Sequence, residues 1–116
     1  MTDLSPSARL RETLQTLRAT RRAMLSFDYL DTLENEPPAR RREAALKMLS
    51  VNSAIRKLEN EELADIRDKL VAEEKALKAA TKDMKAAVRK LKKVKQLLDA
   101  TSKFLDVVGR IVTLII

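Results

Sequence analysis

No cysteine and no histidine occur among the 116 residues. Without thiols there is no disulfide framework, no thiolate nucleophile and no cysteine zinc site. Without imidazole, the commonest general base near neutral pH and the commonest metal ligand are both missing. Glycine occurs once, at Gly109, so a glycine-rich phosphate loop cannot be built. Aromatics are limited to Phe27, Tyr29 and Phe104, which leaves little for stacking on bases. No alternating run of β-branched and aromatic residues bounded by turn signals is present, and strands are not expected. No apolar stretch reaches the ~20 predominantly apolar residues that cross a bilayer. The opening Met1-Thr2-Asp3-Leu4-Ser5-Pro6 has neither the charged nor the apolar segment of a secretory leader. A cytoplasmic protein is the expectation, with peripheral membrane association left open.

Alanine, leucine, lysine, arginine and glutamate are abundant, the composition of long helices. At this length one domain is expected, and it should be all-α. Ser5 before Pro6 reads as a helix start, because serine supplies a capping oxygen and proline at the first position forfeits no hydrogen bond. A first helix is predicted over about 6–33, with Leu10, Leu14, Leu17, Met24, Phe27 and Leu30 on one broad face. The Pro37-Pro38 turn ends it, since the residue before a proline is pushed out of the helical region. A second helix is predicted over about 38–59, with Ala44, Met48, Val51, Ile55 and Leu58 as its stripe. The two would form an N-terminal helical hairpin.

From 63 to 115 the chain carries a heptad ladder. Leu63, Ile66, Leu70, Leu77, Ala80, Met84, Ala87, Leu91, Val94, Leu98, Leu105, Val108, Val112 and Ile115 recur at alternating steps, interrupted only by Glu73 and Thr101. A 3.5-residue repeat keeps one apolar seam turned toward a partner helix. The step from Leu58 to Leu63 is out of phase. Asn60 capping a new helix, or a stutter inside one continuous helix, would both produce it. A single helix over about 61–115 would be a rod of about 80 Å. The expected architecture is therefore a hairpin followed by a long heptad helix, either a three-helix bundle or an elongated coiled coil. Its interaction seam would be Leu77, Met84, Leu91, Leu98, Leu105, Val108 and Val112. The seam's partner would be the hairpin of the same chain, a second copy, or a helical segment of another protein.

Formal net charge is +7, and segment 75–95 alone carries nine cations against one acid, Asp83. Lys75, Lys78, Lys82, Lys85, Arg89 and Lys92 step by threes and fours, so they form a continuous ridge outside the seam. Three readings apply to this ridge: a solvated face, a docking face for an anionic membrane or acidic protein, and a phosphate-contacting surface for nucleic acid. Few arginines and no interleaved aromatics weigh against the last. The tail residues Phe104, Val107, Ile111, Leu114, Ile115 and Ile116 give a wide apolar arc, suited to an oligomeric core or to lying in a membrane interface. Arg40-Arg41-Arg42 opposes the dipole at the start of its helix, and is expected to pair with Asp28, Asp31, Glu34 or Glu36, with an external anion as the functional alternative.

Carboxylates offer no catalytic arrangement. Glu61, Glu62, Asp65 and Asp68 share a helix face, but a ferritin-like site needs histidine beside its glutamates. Asp65–Lys69, Glu74–Lys78, Asp99–Lys103 and Asp106–Arg110 are spaced as ordinary helix pairs. Neither enzyme activity, cofactor, metal nor small-molecule substrate is expected. The leading functional expectation is a helical interaction or self-assembling protein working through the ladder, as a coiled-coil adaptor, chaperone-like or structural component. A membrane-associating protein using the basic ridge and tail is the alternative, and non-specific nucleic-acid binding the third.

Overall fold

A computed structural model describes residues 4–114. Six helices form among the described residues: α1 (Pro6–Met24), α2 (Phe27–Glu34), α3 (Pro38–Asn60), α4 (Leu63–Ala72), α5 (Glu74–Ala87) and α6 (Val94–Val108). The fold is all-α. Its longest principal extent is 44 Å, about half of what an uninterrupted rod over 61–115 would require. The expected long helix is instead three helices, α4 to α6, folded against the rest of the chain.

Each break has a local cause or a tertiary one. Ser5 caps α1 through a hydrogen bond that its Oγ accepts from the Ala8 amide, 3.2 Å away, and Pro6 takes the first helical position. The first predicted helix stops early, at Met24. Ser26 Oγ accepts from the Tyr29 amide and opens α2 in a new direction, so Tyr29 enters the core while Phe27 turns outward. Pro37 and Pro38 separate α2 from α3 as expected. Glu61 and Glu62 adopt extended backbone (ψ 141° and 133°), which makes the phase slip a true break instead of a stutter. Between α4 and α5 only Glu73 leaves the helix, with no proline or glycine to force it. That corner is held by ion pairs to distant arginines. The segment 88–93 holds four cations in six residues. Like charges three and four apart disfavour helix continuation, and the turn lets α6 fold back along α5.

Helix α1 lies at the centre, touching α2, α3, α4 and α5, while α6 packs on α5, α3 and α2. Arg21 bonds Asn52 and Arg18 bonds Glu59, so α1 and α3 run antiparallel. The seam's partner thus lies within the chain: Leu77, Met84, Leu98 and Val108 have 0% exposure, and Leu105 and Val112 are buried with them. Leu91, in the turn before α6, is half-buried. The α3 stripe buries Ala44, Val51, Ile55 and Leu58, with Met48 half-covered.

The face of α1 differs from expectation. Leu10 and Leu14 are only partly buried, whereas Arg9, Thr13, Thr16, Leu17, Thr20 and Met24 face the core. Threonine is admissible there because each hydroxyl returns its hydrogen bond to a carbonyl one turn back, leaving the methyl group to pack. Thr13 donates to the Arg9 carbonyl, Thr16 to that of Glu12 and Thr20 to that of Thr16, each at 2.8 Å.

Candidate interaction site

The strongest polar contact inside the fold is one that local spacing cannot show. Arg9, 2% exposed, donates from Nε to Glu74 Oε1 at 2.5 Å and from Nη2 to Oε2 at 2.8 Å. The Leu4 amide adds a third donor to Glu74 at 3.2 Å. The Arg9 guanidinium holds the Glu74 carboxyl below the usual carboxylate range, chiefly through that hydrogen bond and against the opposing effect of burial. Arg110 reaches back to Glu73 at 3.1 Å. Glu74 thus takes a long-range partner in addition to Lys78, whose charge also lowers its pKa, while Arg110 reaches Glu73 where spacing expects Asp106. Asp99 takes Lys95, at 3.3 Å, where Lys103 was expected. Arg40 stands 4.0 Å from Glu36 and 3.9 Å from Glu43, so the arginine run is partly neutralised around its own turn.

This clamp seats α1 beside α5 and produces a groove between them. Its apolar half, about 220 Å³, is lined by Gln15, Thr16, Ala19, Met84 and Val88, with Glu12 and Lys85 at the edge. Its cationic half, about 410 Å³, is lined by Lys78, Thr81, Lys82, Ala86 and Arg89, again with Glu12 and Lys85. Glu12 Oε1 lies 3.2 Å from Arg9 and 3.9 Å from Lys85, so the acid on the boundary is itself compensated. Thr81 is buried, and its hydroxyl makes no hydrogen bond, unlike Thr101, which donates to the Leu97 carbonyl.

The ridge residues Lys75, Lys82, Lys85, Arg89 and Lys92 are exposed and Lys78 is half-buried. Past Arg89 the cationic surface continues through Lys90, Lys92 and Lys93, beside Asp28 of α2. The apolar tail lies elsewhere. Phe104, Val107 and Ile111 are buried and Leu114 is half-buried, while Ile115 and Ile116 lie outside the described residues.

Exposed apolar side chains are concentrated on surfaces that periodicity assigned to the core or left aside: Leu25, Phe27, Leu30, Leu46, Leu49 and Val71. For Phe27 and Leu30, the missed signal is Ser26. A capping serine at that point rotates the following turn relative to α1.

No group of three or more acidic side chains placed to hold a metal ion is found among the described residues. None of their helices is long and apolar enough to cross a membrane. The chain is thus an all-α helical bundle with a cationic and apolar groove on one side. Comparison with family models, curated proteins and solved structures finds no match to it.

Proposed function

We propose that this chain is a non-enzymatic interaction protein that receives an acidic, amphipathic helical segment of a protein partner in the groove between α1 and α5. The observation that carries this reading is the adjacency of an apolar hollow (Ala19, Met84, Val88) and a cationic wall (Lys82, Lys85, Arg89) on one helix pair. A uniformly solvated face has no need of the hollow. A phosphate-tracking surface has no use for it either, and the wall offers no aromatic for base stacking. An acidic helix with one apolar face uses both halves, in the manner of helix-in-groove recognition. Complementary charge sets its orientation and speeds encounter. The ladder supports this role indirectly, as the core that fixes α5 in place.

The test is binding of a synthetic helical peptide with Phe and Leu on one face and Glu on the other. A control peptide keeps the charge and replaces the apolar residues with alanine. At about 0.15 M salt, where exposed long-range electrostatics are screened, the amphipathic peptide should bind at least about tenfold tighter than the control. The Lys82→Glu, Arg89→Glu double variant should lose that binding. Tighter binding of duplex DNA, or co-flotation with phosphatidylserine vesicles, at the same ionic strength would replace this reading. No binding of either peptide would end it.

A further inference from the structure

The chain itself carries a segment with the chemistry this groove calls for. Residues 26–36 contain Asp28, Asp31, Glu34 and Glu36 and no cation. On α2, Phe27, Leu30, Asp31 and Glu34 follow the three- and four-residue spacing of one helix face. That face is turned to solvent: Phe27 is 80% exposed and Leu30 43%, with Leu25 just before the helix at 61%. The opposite face is fastened down, with Tyr29 buried and Leu33 packed against the core. A phenylalanine held at the tip of a capped, eight-residue helix is an anchor of low conformational freedom, the kind of side chain that dominates interfaces.

Within one molecule the two surfaces do not meet: Phe27 and Leu30 stay exposed and neither lines the groove. Helix α2 is pinned through its inner face to α1 and α6, with Asp28 beside Arg89, Lys90 and Lys92. A second copy has no such restriction. We infer that the α1–α5 groove accepts α2 of another molecule, with Phe27 and Leu30 entering the apolar half near Ala19, Met84 and Val88. Asp31 and Glu34 then meet Lys82, Lys85 and Arg89. This rests on the groove reading above and names its occupant. Knob and groove are different patches of the same chain, so the contact is head-to-tail and leaves one of each free on every dimer. Such a contact grows into an open chain or closes into a ring.

Directionality makes the test decisive. Sedimentation velocity of the full chain from about 10 μM to about 1 mM spans the affinities expected of a short-helix contact, and should show mass rising with concentration. Phe27→Asp removes the knob and Lys82→Glu with Arg89→Glu removes the groove wall. All three positions are exposed, so both variants should keep the helical circular dichroism of the parent. Each alone should remain monomeric. An equimolar mixture should give a 1:1 complex, because one intact knob and one intact groove remain between them. A wild-type chain that stays monomeric throughout would overturn the inference. So would self-association that the mixture of variants fails to restore, since that requires a two-fold or different interface. If the wild type is monomeric yet binds the amphipathic peptide, the groove reading survives with a foreign partner. If it does neither, both fall.

Discussion

Helices α1 and α6 are held against the same core by different means. Helix α6 buries Val94, Leu97, Leu98, Phe104, Leu105, Val107 and Val108, with Thr101 as its one buried polar residue. Helix α1 buries an arginine and three threonines alongside only Leu17 and Met24. The attachment of α6 scales with apolar area, which is non-directional and insensitive to pH. The attachment of α1 depends on specific bonds, above all the one between Arg9 and Glu74, and such bonds are conditional on charge. The groove's two walls therefore differ in kind. Helix α5 is fixed by the apolar core it shares with α6, whereas α1 is fixed by a clamp.

The largest effect should come from the apolar side. Phe104→Ala removes a buried ring and should cost about 4 kcal/mol in denaturant unfolding, lowering protection from hydrogen exchange across the whole fold. Glu74→Gln should cost about 3 kcal/mol because the buried Arg9 charge loses its bidentate carboxylate and keeps the Glu12 contact at 3.2 Å. Its signature should differ, with α1 amides exchanging early while α6 amides stay protected. Equal loss of protection in both helices would erase the distinction between them.

Acid sharpens the same comparison. The folded-state pKa of Glu74 is depressed, so its contribution is fully present above the ordinary carboxylate value of about 4.3. It is lost as pH falls through the lower folded value. The stability gap between wild type and Glu74→Gln should therefore close on acidification, while the cost of Phe104→Ala stays constant. A gap that widened toward low pH would contradict this assignment. The smallest effect belongs to Tyr29→Phe. The Tyr29 hydroxyl is buried and makes no hydrogen bond. Burial raises its pKa, and the nearby Glu43 carboxylate adds to the shift. Removing that hydroxyl should leave stability unchanged or raise it by up to about 1 kcal/mol in thermal unfolding.

Features with a local cause were legible in the sequence. The Ser5-Pro6 start and the Pro37-Pro38 boundary follow from capping and from proline geometry, and the α3 stripe follows from spacing. The corner at Glu73 was not legible, because Glu73 interrupts the ladder no more than Thr101 does inside α6, and the arginines that hold the corner lie 37 and 65 residues away from their glutamates. The turn at 88–93 was visible only as charge, and the ladder alone did not show that charge would break the helix. Thr13, Thr16 and Thr20 fall outside an apolar periodicity, although a hydroxyl bonded to its own helix lets the methyl group pack. Phe27 was assigned inward by extending the α1 period past Ser26. The cationic ridge was legible as a stripe, but its apolar neighbour was not, since that hollow is shared between α1 and α5.

The contact between Arg9 and Glu74 also sets an order of events during synthesis. Synthesis runs from the N-terminal end, so α1, which buries Arg9, is made before the bidentate partner Glu74, 65 residues further on. Until then α1 has the Glu12 carboxylate and α3 beside it, but neither Glu74 nor α5. Helix α1 is thus made well before its full set of contacts exists, and the groove it forms with α5 is complete only once α5 has been made.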